Sequence, residues 1–262
     1  MSAVVAGSFW DEVTRPVSRR VSLLELDPDL GRDLGPEREQ AAARHVTVPV
    51  ETLEPGPFER GTNMLKQSLG FLVIDGVLMR SHSIGKVVSA ELIGAGDVIR
   101  PPLTGHELSM IEADSRWEVL AQAHIAALDM AFLQAALRWP EIVIALFERS
   151  VQRSRFIAFQ LALSHVRRVD SRLLLLFWRL ADRWGRVTPE GVVVPLRITH
   201  AALGKLTGAQ RPSVTTALKQ LQQSGRVKRR SDGSWLLSGD PPNPQDPVWE
   251  PLTAPEGGER SG

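Results

Sequence analysis

The pattern of hydrophobic and polar positions first marks a strand-rich region between residues 45 and 119, where short apolar pieces are interrupted by glycine and proline. Val46–Val50 alternates as a half-buried strand does. Apolar stretches on both sides of Asp75-Gly76 predict a hairpin that turns there. Val87–Ile93 predicts a further strand, which leads into a turn at Gly94–Asp97. Regular short strands with such turns predict a β-roll, or jelly roll.

Helical periodicity flanks this region. A short helix is predicted from Pro36 to Ala43, because proline suits the first turn of a helix. After the strands, helices are predicted over 129–139, over 140–168, and over 171–184 with Ser171 as the N-cap. The chain is therefore expected to belong to the α+β class.

The C-terminal third predicts two hairpins around a helix–turn–helix. The first hairpin turns about Pro189-Glu190-Gly191 and the second at Asp232-Gly233. Between them, residues 199–221 predict two helices, with the hydroxyl of Thr199 capping the first. Gly208 occupies the turn, where a left-handed residue lets two helices cross steeply. Pro212 places the start of the second helix at Ala209 to Arg211, because proline is tolerated only in the first turn.

The second helix of this motif carries the candidate DNA contacts. Val214, Leu218 and Leu221 have the i, i+4, i+7 spacing of an inward face. Arginine can form two hydrogen bonds to a guanine edge, and hydroxyl and lysine groups can bind phosphates. The predicted DNA-binding residues are Thr199, Gln210, Arg211, Ser213, Thr216 and Lys219. A helical hairpin with a solvated basic face is the alternative interpretation.

The charge distribution favours a polyanionic partner for the same region. Residues 165–237 hold 14 basic and 4 acidic side chains, a net charge of +10, although the whole chain has a net charge of +1. The hairpin after the second helix contributes Arg226, Lys228, Arg229 and Arg230, which we interpret as a basic wing. Arginine-rich coding bias explains the choice of arginine over lysine, but not the local shortage of acidic residues.

The long helix predicted from Pro140 carries a heptad-like apolar seam. Positions at 3-4 spacing form the predicted dimer interface: Ile144, Phe147, Val151, Ser154, Ala158 and Leu161, extended by His165. A second apolar set is expected to pack on the protomer's own β-roll: Ile142, Phe156, Ile157 and Phe159. A buried helix of a monomer would also be apolar on two sides, so that alternative remains.

Composition removes several other functions. The chain has no cysteine, which excludes disulfides, thiolate catalysis, cysteine-ligated zinc and iron–sulfur clusters. No apolar run approaches the roughly 20 residues of a membrane helix, and no secretory signal is visible, so we expect a cytoplasmic protein without membrane contact. No nucleophile–base motif or phosphate-binding glycine loop appears, and we predict that the protein is not an enzyme.

In this order, the β-rich region, long helix and winged helix–turn–helix resemble the bacterial cyclic-AMP receptor protein and fumarate–nitrate regulator (Crp/Fnr) family. Gly208 and Arg211 match the family's turn glycine and base-contacting arginine, and the turns at Leu72–Gly76 and Gly94–Asp97 resemble those of a cyclic-nucleotide-binding-like β-roll. The resemblance implies a homodimeric transcription regulator that binds double-stranded DNA. It also makes RNA polymerase a candidate partner.

The sequence pattern, together with this resemblance, predicts five segments. They are an N-terminal tail with a short helix (1–44), a β-roll sensor domain (45–139), a dimerisation helix (140–168), a winged helix–turn–helix DNA-binding domain (169–238) and a disordered tail (239–262).

Departures from the family pattern concern the sensor. The family's cyclic-nucleotide binders have Gly-Glu and then Arg-Ser after the Gly-Asp turn, but Gly96-Asp97 is followed by no Gly-Glu pair, and Ser115-Arg116 has the reverse order. Where the family carries a hydroxyl pair on the long helix, this chain has Ile157 and Ala158. We therefore predict that the protein does not bind cyclic AMP. The family's glutamate beside the arginine is Pro212 here, so the operator should differ.

Two other classes of function remain open. A cupin-like metalloenzyme would need several histidines on convergent strands, and only His82 and His106 stand near the expected positions, so we predict no metal and no cofactor. A DNA-binding or interaction protein with a degenerate sensor would respond to no small molecule. The effector is unknown, and His82, His106 or Arg100 could serve as its polar anchor.

Overall fold

The computed structural model describes residues 20–58, 68–100 and 114–243. The chain divides into two units, of which the first comprises residues 1–85 and 91–155 and the second comprises residues 86–90 and 156–262. Residues 1–19 of the predicted N-terminal segment (1–44) and residues 244–262 of the predicted C-terminal tail lie outside the described residues. None of the helices in the described ranges has the length and apolar character needed to cross a bilayer.

The first unit is built on an antiparallel sheet with the strand order β1-β2-β7-β4-β5, in which β3 also pairs with β7 and β6 with β4. The strands are β1 (Arg20–Ser22), β2 (Thr47–Leu53), β3 (Gly56–Pro57), β4 (Ser68–Ile84), β5 (Val87–Gly94), β6 (Val98–Ile99) and β7 (Asp114–Asp129). The helices that begin or lie in this unit are α1 (Leu23–Leu26), α2 (Pro36–His45), α3 (Met130–Ala136) and α4 (Pro140–Ser164), with a 3-10 turn at Pro28–Gly31.

Two hydrophobic clusters form on opposite faces of this sheet. Leu72 packs with Ala126, Phe132 and Ile142 in the cluster beneath the helices. The neighbouring Phe71 belongs to the other cluster, because successive side chains of a strand point to opposite faces. Ile142 therefore packs on the protomer's own sheet domain, as predicted from its position in α4.

The predicted hairpin at Asp75-Gly76 is wrong, since β4 continues through it to Ile84. Gly76 has a φ of +83°, and the pairing register with β7 shifts on both sides of it, so the pair forms a β-bulge. The Asp75 carboxylate lies 2.6 Å from Nδ1 of His124 and accepts a hydrogen bond from the His124 backbone N–H at 3.0 Å. Asp75 and Gly76, which are typical of a tight turn, thus form a bulge within a long strand.

The second unit combines three helices with a four-stranded antiparallel sheet of order β10-β11-β9-β8. Its strands are β8 (Arg186–Thr188), β9 (Gly191–Val194), β10 (Val227–Arg229) and β11 (Trp235–Leu237). Its helices are α5 (Val169–Trp184), α6 (His200–Thr207) and α7 (Arg211–Gln223). Phe177 and Trp235 meet in its interior with ring centroids 4.9 Å apart.

The boundaries of two helices differ from the prediction. α4 ends at Ser164 and not near Arg168. Directly after Ser164 the backbone forms a tighter turn, in which the N–H groups of His165 and Val166 donate to the carbonyls of Ala162 and Leu163. α5 begins at Val169, so Ser171 is a buried residue of the first turn and not the N-cap. The Asp170 carboxylate accepts the Ser171 backbone N–H at 2.9 Å and forms an ion pair with Arg168, which supports the earlier start.

Two phenylalanines of the second predicted apolar set contact an arginine of the second unit. Phe156 and Phe159 lie beneath the Arg179 guanidinium of α5, at 5.2 and 5.5 Å from the ring centroids. Ile157, from the same predicted set, remains 42% exposed.

Candidate nucleic-acid interface

The turn between α6 and α7 has the left-handed residue that the sequence predicted. Gly208 adopts φ +64° and ψ +31°, which glycine reaches without the steric cost that a side chain adds. At the other end of α6, the Thr199 hydroxyl accepts the Ala202 backbone N–H at 3.1 Å, as an N-cap does. Both ends of the first helix of the motif are therefore fixed by local chemistry.

A second glycine, which is not one of the predicted turn residues, allows the two helices to approach closely. A Cβ atom on Gly204 would lie 2.6 Å from the backbone oxygen of Ala209, closer than side-chain contacts occur. The Gly204 carbonyl also accepts the Ala209 N–H at 2.9 Å. Glycine inside a helix costs about 1 kcal/mol relative to alanine. A glycine at this helical position in the sequence therefore already indicated that a side chain would not fit there.

The turn is also held from α5. The Arg172 guanidinium donates to the Thr207 carbonyl at 2.8 Å, and the Thr207 hydroxyl donates to the Leu203 carbonyl at 2.7 Å. Arg172 thus satisfies a carbonyl at the end of α6, which would otherwise lack an intrahelical partner. Burial lowers the pKa of the Arg172 guanidinium.

α7 presents one buried face and one exposed polar face. Val214, Leu218 and Leu221 are buried, as their spacing predicted. The five predicted contacts at the start and along α7 are exposed: Gln210, Arg211, Ser213, Thr216 and Lys219. Within the described ranges, neither Arg211 nor Lys219 has an acidic partner, so their charges are not neutralised by the protein itself.

Two hydroxyl groups of the predicted DNA contacts already form hydrogen bonds within the protein. The Thr216 hydroxyl donates to the Pro212 carbonyl at 3.2 Å, so its remaining capacity is as an acceptor. The exposed Thr199 accepts the capping bond and retains its O–H as a donor, which suits a phosphate oxygen.

The hairpin after α7 forms the predicted basic wing. Lys228, Arg229 and Arg230 are exposed, whereas Arg226 is half-buried and donates to the Asp240 carbonyl. The wing turns at the predicted position, because the Asp232 carboxylate accepts both the backbone N–H and the hydroxyl of Ser234.

A histidine not included among the predicted contacts lies beside the recognition surface. His200 opens α6, and its Nδ1 lies 3.0 Å from the Thr215 hydroxyl of α7. Partial burial and the nearby Arg229 and Arg211 guanidiniums hold the pKa of His200 below its ordinary value.

Comparisons with known proteins agree with this geometry. Residues 168–238 match the family model of the Crp-like helix-turn-helix domain. The resemblance to the Crp/Fnr family is confirmed. The C-terminal region is thus similar to a Crp-like helix-turn-helix domain.

Two proteins illustrate the relationship over a larger part of the chain. "Regulatory protein CysR" of Synechococcus elongatus is 27% identical over 159 residues, which span 58% of this chain and 69% of that protein. A cyclic nucleotide-binding domain containing protein from Listeria monocytogenes matches with a TM-score of 0.58 at 15% identity, over 81% of this chain and 97% of its own.

A CooA mutant from Carboxydothermus hydrogenoformans also has this fold, with a TM-score of 0.56 at 14% identity, over 72% of this chain and 83% of that chain. The α+β fold class, with a cyclic-nucleotide-binding-like sheet domain followed by a helix-turn-helix domain, is thereby confirmed.

The predicted dimer seam is a solvent-exposed face of α4. Ile144, Phe147 and Leu161 are 56%, 67% and 66% exposed, which is unusual for large apolar side chains. The remaining predicted interface residues are exposed or half-buried: Val151, Ser154 and Ala158, with His165 beyond the helix end.

The sheet domain of the first unit contains a buried ion cluster. The Glu91 carboxylate of β5 is buried and forms ion pairs with Arg80 of β4 and, at 2.9 Å, with Arg153 of α4. Arg153 also donates to the Val98 carbonyl at 3.2 Å. The cluster gave no recognisable motif, because its three members are distant in the sequence.

The residues considered for an effector or a metal differ in their surroundings, and one of them lies outside the described part of the chain. His82 is half-buried in β4, Arg100 is exposed, and His106 lies outside the described residues. Within those residues, histidine, aspartate and glutamate side chains form no group of three that could hold a metal ion.

Proposed function

We propose that the chain acts as a homodimer that inserts α7 into the major groove of a specific DNA site. The observation that carries the proposal is the exposed face of α7, which begins with Arg211 and has cations with no acidic partner within the described residues. This face follows a left-handed turn at Gly208, and the same domain contributes a basic wing. Helices of this kind read base edges from their N-terminal residues.

The residues of this surface have different roles in the proposal. Arg211 contacts a guanine edge, because its fork can donate two hydrogen bonds to O6 and N7. Lys219, two turns further along, binds a phosphate as a point charge. The four other predicted contacts position the helix or read neighbouring atoms: Thr199, Gln210, Ser213 and Thr216.

The proposed dimer uses the exposed face of α4 against a second copy of the chain. Ile144, Phe147 and Leu161 would leave water, and Val151, Ser154 and Ala158 would lie between them. Coiled-coil packing suits this spacing. A dimer also holds two recognition helices one helical turn of DNA apart, about 34 Å, as a palindromic site requires.

Genomic footprinting with the purified protein at controlled salt tests this function. We expect protected sites that contain two related half-sites about 10 base pairs apart. Affinity should fall steeply as salt rises, because phosphate contacts release counterions. Protection without any shared sequence, or no protection at low salt, would contradict the proposal.

We further propose that the sensor domain does not respond to cyclic AMP. A cyclic phosphate needs a fixed cation and backbone N–H donors, and Pro101 and Pro102 offer no N–H after the Gly96-Asp97 turn. Ile157 and Ala158 offer no hydrogen bond to an adenine.

Calorimetric titration of cyclic AMP and cyclic GMP into the protein checks this part. We expect no saturable heat. Binding with a dissociation constant below about 10 μM, which is roughly 7 kcal/mol, together with a change in DNA affinity, would contradict it. A thermal-unfolding screen of metabolites would identify an effector as a compound that shifts the unfolding temperature. If no metabolite shifts it, regulation by protein abundance alone is favoured. We place this activity in the cytoplasm, where RNA polymerase is a candidate partner.

A further inference from the structure

We infer that His200 is an additional DNA-phosphate contact, and that its protonation makes DNA binding stronger as the pH falls. The inference rests on the proposed function, since it concerns the same surface. It adds a proton-linked contact to the residues predicted from the helix–turn–helix pattern. It also gives the DNA-binding domain a response to pH that needs no effector in the sensor.

The hydrogen bonds around His200 determine which ring nitrogen titrates. The Thr215 hydroxyl donates to the Arg211 carbonyl at 3.1 Å, so it can only accept from the His200 ring. Nδ1 of His200, at 3.0 Å, is therefore the N–H donor in the neutral ring. Nε2 then carries the lone pair, and among the described residues it has no hydrogen-bond partner.

A neutral His200 cannot donate from Nε2, whereas the protonated ring can. A phosphate oxygen placed at Nε2 would face a lone pair in the neutral form and an N–H with a full positive charge in the protonated form. Only the protonated form is therefore a favourable phosphate contact. The Thr215 hydrogen bond keeps the ring oriented in both forms, because Nδ1 carries a proton in each.

The charges that face His200 come from two other elements. Arg211 lies at the start of α7 and Arg229 in β10, and both disfavour a further positive charge on the ring. Together with partial burial, they keep the pKa below its ordinary value in the free protein. The negative charge of DNA phosphates near the ring would offset the repulsion from these arginines and favour protonation of the ring.

Linkage fixes the sign of the effect. If DNA raises the pKa of His200, the complex binds more protons than the free protein between the two pKa values. Affinity must then rise as pH falls through that interval. One proton taken up per recognition helix gives at most about a 10-fold change in affinity per pH unit for each helix.

The direct test measures affinity for one DNA site from about pH 5.5 to about pH 8, the range in which histidine titrates. We expect the dissociation constant of the full chain to rise by about 3-fold or more per pH unit over part of this range. His200→Gln should be nearly flat and resemble the unmodified chain at high pH. His165→Gln, which changes an exposed histidine after α4, should keep the slope.

A charged variant tests the phosphate contact itself. His200→Lys should bind tightly at both ends of the pH range, because its charge persists. Calorimetry in two buffers of different ionisation enthalpy should detect proton uptake by the unmodified chain and not by His200→Gln. Thermal unfolding would confirm that each variant is folded.

The possible results separate this inference from the proposed function. DNA binding whose affinity does not change with pH would overturn the inference and leave the regulator intact. A slope that persists in His200→Gln would also overturn it, because another group would then take up the proton. Absence of DNA binding at every pH, in the unmodified chain and in His200→Lys, would instead refute the proposed function.

Discussion

Truncation of Phe147 to alanine should strongly weaken the proposed homodimer. This side chain is 67% exposed on α4. A phenylalanine buries about 150–250 Å², so roughly 130 Å² per protomer and about 260 Å² per dimer would leave water on association. At about 25 cal/mol per Å², this corresponds to about 6 kcal/mol as an upper limit. Ordering costs and the alanine methyl that remains reduce the expected loss to about 2–4 kcal/mol.

The expected loss raises the dimer dissociation constant by about 30- to 1,000-fold, since 1.4 kcal/mol corresponds to a factor of ten. Sedimentation equilibrium over a range of concentrations measures it. Leu137→Ala is a matched control, because Leu137 is also 67% exposed but lies outside α4. If Phe147→Ala and Leu137→Ala dimerise alike, or if the unmodified chain is a monomer at high concentration, the assignment of this face is wrong.

Two further predictions concern stability. Gly204→Ala should lower the free energy of unfolding by about 2–4 kcal/mol and reduce DNA affinity, because its Cβ would meet a backbone oxygen at 2.6 Å. Denaturant titration measures the loss of stability. The control is Gly35→Ala, which has open space around the new methyl group and should stay within about 0.5 kcal/mol of the unmodified chain. Glu91→Gln should lower the free energy of unfolding by about 3 kcal/mol, since it leaves two half-buried guanidiniums without their buried anion. Asp114→Asn, at an exposed ion pair, should cost less than about 1 kcal/mol, and equal losses for the two would refute the role of burial.

The sequence predicted the DNA-binding domain well because its signals are local. The Thr199 cap, the left-handed Gly208 and the Asp232-Gly233 turn each depend on residues within a few positions. The inward spacing of Val214 and Leu218 follows from the helical period alone. Such features need no knowledge of distant packing.

The errors arose where distant contacts determine the conformation. Asp75-Gly76 has the composition of a hairpin turn, but β7 supplies His124 as a partner across the sheet and the pair becomes a bulge. The Arg179 guanidinium of α5 lies 5.2 Å from the centroid of the Phe156 ring, a neighbour that the apolar spacing along α4 did not predict. Periodicity identifies a buried face but not the element that covers it.

His200 illustrates a functional candidate that sequence alone does not reveal. A histidine at the start of a helix is common, and its significance depends on Thr215 and Arg229, which lie 15 and 29 residues further along the chain. Only the folded domain places these groups together. The charge of the region predicted a polyanion, but not a proton-linked contact.

The most direct test of the DNA-binding surface compares Arg211→Ala with Lys219→Ala on a footprinted site and on random DNA at one salt concentration. We predict that Arg211→Ala loses about 1–3 kcal/mol on the specific site and little on random DNA, so that its sequence preference falls. Lys219→Ala should weaken both DNAs equally and retain the preference. If Arg211→Ala binds specific and random DNA as the unmodified chain does, α7 is not the recognition helix.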